Sequence, residues 1–147
     1  MTPIRVLFVC TGNSARSILA EALLRHEGGA AFEVHSAGIE PKGVNPLTLR
    51  VLAEAGLDGS WARSKSVTEY LGQPFAYVIT VCDQARQSCP VFPGVHGSIH
   101  WGFEDPAEAQ GTDEERLAVF RRVAIGLGER IRQFIPLALR ASTLSPS

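Results

Sequence analysis

Ile4 to Val9 is a nearly continuous apolar run rich in β-branched residues, the pattern of a parallel strand buried on both faces. Ile18, Leu19, Ala22 and Leu23 then recur at helical spacing, and Gly28-Gly29 ends that helix. Phe32 to Ala37 predicts a second strand. Pro46 opens a helix through Ala55 that turns Leu49, Leu52 and Ala53 inward and stops at Gly56. A polar, turn-rich segment leads to a short helix over Thr68 to Leu71. Phe75 to Val81 is the third strand, Asp83 to Ser88 a short helix, and Gly97 to Trp101 a weaker fourth strand. Thr112 and Glu115 form a capping box for a last helix, which runs through Leu117, Phe120, Val123, Ala124, Leu127 and Ile131 toward Phe134. Pro136 is expected to bend or end it.

Strands alternating with helices predict βαβ units, a parallel sheet and right-handed crossovers. The fold class is therefore α/β: one open domain over residues 1–140, followed by a flexible tail over 141–147. A ligand of such a sheet sits at the carboxyl ends of the strands. Cys10, Cys82 and Asp105 all fall just past strand ends, which places them on one rim.

With 147 residues, 45% hydrophobic and 20% charged, the chain has the size and composition of one globular domain. A net charge of −1 argues against a general nucleic-acid or anionic-membrane binder, so any anion site must be local. No apolar run approaches the roughly 20 residues of a membrane span, and no small-residue cleavage site follows the first apolar run. A cytoplasmic location and a monomer are expected. Three cysteines cannot form a fully paired framework; in a reducing compartment each is catalytic, metal-binding or simply buried.

The segment Cys10-Thr11-Gly12-Asn13-Ser14-Ala15-Arg16-Ser17 joins the first strand to the first helix. A loop of this kind curls so that successive backbone N–H groups point inward and make a nest for an anion. Gly12 is expected to relieve the steric limits on the curl, and Asn13 tolerates positive φ. The helix starting near Ala15 adds its N-terminal dipole, and Arg16 offers a bidentate grip on two oxygens. A Cys10 thiol at that helix start, beside Arg16 and the Ser17 and Thr11 hydroxyls, is expected to have a lowered pKa. The bland alternative is a buried cysteine before a helix that happens to begin with Arg and Ser.

Cys82 and Cys89 lie seven residues apart. If Cys82 opens a helix, Cys89 is about 10 Å away along it, beyond the roughly 7 Å that a disulfide allows between Cα atoms. A bridge then requires the Asp83 to Ser88 segment to unwind, which suits a redox switch better than a staple. Metal binding is the rival, but only His96 and His100 are close and no compact four-ligand spacing is present, so no metal is expected.

The loop Cys10 to Ser17 resembles that of the low-molecular-weight tyrosine phosphatases and the arsenate reductases that share their fold. The resemblance extends through Ser36-Ala37-Gly38, Thr80-Val81-Cys82-Asp83, Cys89-Pro90 and Trp101-Gly102-Phe103-Glu104-Asp105-Pro106. It implies a flavodoxin-like, four-stranded parallel sheet of order 2-1-3-4 flanked by helices. It also implies Asp105 as the proton donor to the departing oxygen, against the alternative that Asp105 only initiates a turn or caps a helix. The tyrosines that wall the phosphatase slot are replaced here by Ala107, Glu108, Ala109 and Gln110, and Ala15 stands where the phosphatases carry a second cysteine. Both departures favour a small inorganic substrate. In the reductase branch the implied sequence is attack of Cys10 on arsenate, then of Cys82 on the adduct, then of Cys89 on Cys82. Thioredoxin finally reduces the Cys82–Cys89 disulfide and draws indirectly on NADPH. Phosphate and sulfate are expected competitors.

Some members of this family hold potassium beside the loop with residues matching Asn13, Glu21 and Ser36 plus an acidic residue downstream. This chain has Lys65 at that last place. Its ammonium is expected to fill the cation position, making the protein potassium-independent, with no bound cofactor; an exposed lysine is the alternative. Arg86 either helps ionise Cys82 or is solvated. His26, His35, His96 and His100 read as structural or exposed, and Trp101 and Phe103 as packing behind Asp105. The leading reading is a thioredoxin-coupled arsenate reductase. A low-molecular-weight phosphatase is second, and a non-catalytic anion sensor third.

Overall fold

The computed structural model of the protein describes residues 2–95 and 97–144. The expectations for His96 and for residues 145–147 lie outside the described residues. Four parallel strands form one sheet of order β2-β1-β3-β4: β1 Ile4–Cys10, β2 Phe32–Gly38, β3 Tyr77–Thr80 and β4 Gly97–His100. The helices are α1 Arg16–Gly28, α2 Pro46–Glu54, α3 Asp83–Ser88 and α4 Asp113–Leu144. The expected α/β architecture and strand order are both present.

The apolar run of β1 explains its central place. Val6, Leu7, Phe8 and Val9 are fully buried, and β1 pairs with both β2 and β3 in parallel register. α1 packs on α4, α2 contacts both, and α3 lies against β1 and β3. From β1 the chain passes to β2 on one side and then crosses to β3 on the other, so a crevice opens beyond the carboxyl ends of β1 and β3. Cys10 ends β1, and Cys82 follows β3 by two residues.

Two local expectations are corrected. In α2 the buried residues are Leu47, Thr48, Val51 and Leu52, whereas Leu49 is 41% exposed and Ala53 faces solvent. The face is rotated because polar Thr48 turns inward, its hydroxyl donating to the Ser14 carbonyl at 2.8 Å. The last helix does not end at Pro136 but continues four residues past Arg140. Phe134 and Ala138, buried on either side of the proline, keep both segments on the core. Its start is as expected: Thr112 Oγ1 accepts from the Glu115 amide at 3.1 Å, and Glu115 Oε1 accepts from the Thr112 amide at 3.2 Å. No helix among the described residues is long and apolar enough to cross a membrane.

Candidate active site

The loop after β1 is shaped from outside. Its carbonyls are taken one after another: Cys10 by the Ile39 amide at 3.0 Å, Thr11 by Glu40 at 2.8 Å and Gly12 by Lys42 at 2.9 Å. Ser64 Oγ also donates to the Gly12 carbonyl at 3.1 Å, and the Asn45 amide reaches Ser14 at 3.1 Å. Within each planar peptide the N–H points opposite to its C=O. Fixing these carbonyls outward therefore turns the amides of the loop toward the pocket, which is the condition for an anion nest.

The strained residue of the curl is Asn13, with φ of 45°, the only non-glycine residue at positive φ among those described. Gly12, expected to supply that freedom, has no positive φ; a side chain there would only contact the Lys42 stem at 3.4 Å. The indispensable glycine is instead Gly38. A Cβ on it would stand 2.8 Å from the Thr11 carbonyl oxygen and 2.9 Å from Asn13. No single-residue signal in the sequence marks that approach, because it depends on β2 lying beside the loop.

Asn13 holds its conformation through a buried polar chain. Its Oδ1 accepts from the Lys65 amide at 2.9 Å, which orients Nδ2 to donate to Ser17 Oγ at 2.7 Å and Ser36 Oγ at 3.0 Å. Ser17 Oγ lies 2.8 Å from Cys10 Sγ, and the Asn13 amide donates to the same sulfur at 3.2 Å. At the far end, Ser36 Oγ donates to Glu21, whose carboxylate also pairs with Arg25. Lys65 Nζ lies 3.9 Å from Glu21 Oε1 and donates to Ser36 Oγ at 3.5 Å and to the Arg63 carbonyl at 3.0 Å. Glu21 and Lys65 are 1% and 8% exposed, so the lysine is not the exposed alternative. Burial pushes the Glu21 carboxyl up and the Lys65 ammonium down, while their mutual attraction opposes both shifts.

The Cys10 thiol departs from the sequence expectation. Burial pushes it above its ordinary value; the Ser17 hydroxyl, the Ser17 and Asn13 amides and the Arg16 guanidinium all pull downward without overcoming it. A raised thiol suits an enzyme whose substrate brings its own basic oxygen. A thiol with an oxyanion dianion carries the same proton and charge as a thiolate with the monoanion.

Arg16 begins α1 and is 8% exposed. Nη1 donates to the Phe103 carbonyl at 3.0 Å, and Nη2 lies 3.5 Å from Asp105 Oδ2. Asp105 Oδ1 accepts from the Ala107 amide at 3.0 Å, so Asp105 caps the turn after it and also faces the loop. Across the mouth, Thr11 Oγ1 is 3.1 Å from Cys82 Sγ and 3.3 Å from Gln84 Oε1. Cys82 is the N-cap of α3, its sulfur accepting from the Ala85 amide at 3.4 Å. A cavity of about 550 Å³ is lined by the loop, Cys82 and Asp105, with Lys42, Gln84, Ala107 and Glu108 at its rim.

Cys89, which follows α3, stands apart from that cavity. It is half-buried, and burial pushes its thiol up to about 11. All three cysteines are free thiols. No group of three or more His, Cys, Asp or Glu side chains suited to a metal occurs among the described residues. Trp101 packs against Phe8 and Phe134, as expected of a residue behind the site.

Comparison with known proteins places this arrangement. A family model for low-molecular-weight phosphotyrosine protein phosphatases matches residues 5–143. The chain is 45% identical over 129 residues to an arsenate reductase of Halalkalibacterium halodurans, covering 88% of this chain and 93% of the relative. It is 40% identical to an arsenate reductase of Bacillus subtilis over the same shares. Among solved structures, an arsenate reductase in a phosphate-binding state superposes with a TM-score of 0.74 at 30% identity, covering 90% of this chain and 97% of that one. A thioredoxin-dependent arsenate reductase of Corynebacterium glutamicum gives 0.73 at 31% identity, covering 95% and 64%. With the oxyanion loop, its arginine and the four-stranded sheet all in place, the chain belongs to the low-molecular-weight phosphotyrosine protein phosphatase family.

Proposed function

We propose that the protein is an arsenate reductase in which Cys10 attacks the substrate and Cys82 and Cys89 carry the oxidation out to thioredoxin. The observation that carries this reading is the placement of a second thiol at the oxyanion loop: Thr11 Oγ1 lies 3.1 Å from Cys82 Sγ. Hydrolysis of a phosphoester has no use for that thiol. The rim of Lys42, Gln84, Ala107 and Glu108 also lacks the aromatic walls that would grip a phosphotyrosine.

In the proposed cycle, arsenate lies in the nest of Thr11 to Ser17 with Arg16 gripping two oxygens. Cys10 Sγ bonds to arsenic, and Asp105 donates a proton to the departing oxygen, which leaves as water. Cys82 then attacks Cys10 Sγ. The electron pair of the sulfur–arsenic bond stays on arsenic, which leaves as arsenite, and a Cys10–Cys82 disulfide remains. Cys89 attacks Cys82 and releases Cys10 as a thiolate, and a thioredoxin dithiol reduces the Cys82–Cys89 bridge. This chemistry belongs in the reducing cytoplasm, where thioredoxin is available. Phosphate and sulfate act as competitors, and slow hydrolysis of small aryl phosphates is the natural side activity of Cys10, Arg16 and Asp105.

The test supplies thioredoxin, thioredoxin reductase and NADPH and follows NADPH loss. Arsenate-dependent consumption is expected; its absence would overturn the reading in favour of a phosphatase or an anion sensor.

Lys65 is proposed to serve as the built-in cation of the Glu21–Ser36–Asn13 chain. Exchanging sodium for potassium should change neither turnover nor Tm, and a clear rise in either would contradict the proposal. Lys65→Met leaves Glu21 with the Ser36 hydroxyl and the Arg25 guanidinium and should lower stability by about 3 kcal/mol at neutral pH, the low side of a broken buried pair. The sign with pH follows from Glu21, whose raised pKa would rise further in the variant. The deficit is therefore full above that raised pKa and shrinks as falling pH protonates Glu21. Chemical denaturation of both proteins across the acidic range measures it.

A further inference from the structure

α3 is the element that the proposed relay must unwind, and its first turn is fastened on two sides. On the loop side Thr11 Oγ1 contacts Cys82 Sγ and Gln84 Oε1. On the sheet side His100, the last residue of β4, lies between two partners. Its Nε2 is 3.1 Å from Asp83 Oδ1, and its Nδ1 is 2.8 Å from Thr80 Oγ1. Past this turn the fastening stops. The side chains of Arg86, Gln87, Ser88 and Cys89 hold no hydrogen bond or ion pair among the described residues, and a cavity of about 450 Å³ lies beside Arg86, Cys89 and His100.

The surroundings of His100 suit both of its charge states. As a neutral ring it donates from Nε2 to Asp83 and accepts at Nδ1 from the Thr80 hydroxyl. As a cation it donates from both nitrogens, and the Thr80 hydroxyl can turn to the Ile99 carbonyl, 3.5 Å away. Neither state leaves a polar atom unpaired. The charged or titratable groups facing His100 among the described residues are Asp83 on α3, with Arg86 and Cys89 across the cavity. The strand and loop residues lining that cavity carry no charge.

We infer that His100 is a positioning residue of the thiol relay, a latch that ties the first turn of α3 to the sheet through Asp83. It keeps Cys82 at the oxyanion loop while the Cys10–Cys82 disulfide forms, and it resists the unwinding that lets Cys89 reach Cys82. The latch is tighter when His100 is protonated, because the contact is then an ion pair. The inference rests on the proposed reductase cycle. The step it governs is a thiol–disulfide exchange: the Cys82–Cys89 bond forms, the Cys10–Cys82 bond breaks, Cys10 leaves as a thiolate, and the Cys89 proton passes to solvent.

Local amide exchange of the Arg86–Ser88 segment in the reduced protein without arsenate tests the latch directly, corrected for intrinsic exchange. Asp83→Asn should exchange about two- to fivefold faster than wild type near pH 5.5, as suits a pair with one exposed partner. The ratio should approach one as the pH is raised, because a neutral imidazole donates to the amide oxygen as it does to the carboxylate. His100→Gln keeps the Asp83 charge in the first turn of α3, so a dipole effect is unchanged, and it should loosen the same amides at low pH. In the full chain, the rate of transfer from Cys10–Cys82 to Cys82–Cys89 should rise by the same ratio with the same pH dependence. Unaltered exchange in both variants would overturn the inference, as would faster exchange with an unaltered transfer rate. Failure of arsenate to form a Cys10–Cys82 disulfide in Cys89→Ser, where the transfer is blocked, would overturn the relay and with it the positioning role. That outcome is told apart from failure of the latch by the exchange ratio, which needs no arsenate.

Discussion

Cys89→Ser is expected to release one arsenite per chain and then stop, with the protein held as a Cys10–Cys82 disulfide. In the proposed cycle both thiols that act on arsenic are at the loop, where Thr11 lies beside Cys82, while Cys89 is placed beyond α3 and outside that cavity. Removing it spares the chemistry on arsenic and removes only the exit. Steady-state NADPH consumption should fall by about 10⁴-fold or more, the scale on which a reacting set fails when one of its members is deleted. Cys82→Ser should give no arsenite burst at all, because the Cys10 adduct then has no thiol to resolve it. Arsenite counted in a single turnover, with alkylated peptides to locate the disulfide, separates the two variants. Sustained turnover in either would remove the relay from the mechanism.

The sheet and the loop were readable in the sequence because both are written locally. Ile4 to Val9 is apolar without alternation, as a strand covered on two faces requires, and Asn13 was identified as a residue fit for positive φ. The short helix expected over Asp83 to Ser88 is present, with Cys82 capping its start and Cys89 its end. The failures are tertiary. Gly12 looked like the hinge, but the crowded glycine is Gly38, which only strand pairing brings against the loop. Thr48 is polar and lies outside the apolar pattern of its helix, yet its hydroxyl helps fix the Ser14 carbonyl. The Cys10 pKa was misjudged because helix start, arginine and hydroxyls are visible in sequence, whereas complete burial of the sulfur is not. Likewise nothing near His100 in the chain announces Thr80 and Asp83; the parallel pairing of β3 with β4 sets Thr80 beside it. Side chains that act through their immediate neighbours are legible. Those that act by meeting a distant segment are not.

Arg16→Lys should lower kcat/KM for arsenate by about 10² to 10³, although the formal charge is unchanged. This is the range for removing one donor aimed at developing oxyanion charge, about 3 to 4 kcal/mol. The wild-type guanidinium is held as a fork: Nη1 on the Phe103 carbonyl at 3.0 Å and Nη2 3.5 Å from Asp105. That grip aims its plane at the loop and tethers Asp105, the proposed proton donor, at once. A lysine ammonium is a point charge on a flexible stem and cannot make both contacts while presenting two parallel donors to an oxyanion. Asp105 would then keep only the Ala107 amide. Hydrolysis of a small aryl phosphate should fall by a similar factor, because in the proposed cycle the guanidinium acts at the attack of Cys10, before Cys82 is needed. A drop confined to a fewfold would mean that charge alone suffices and that the fork is incidental. Equal losses in reduction and hydrolysis, beside a Cys89→Ser variant that still yields its first arsenite, would divide the machinery in two. On that outcome the loop and Arg16 would serve the attack of Cys10 on the oxyanion, and the two distal thiols would decide that the reaction ends in reduction.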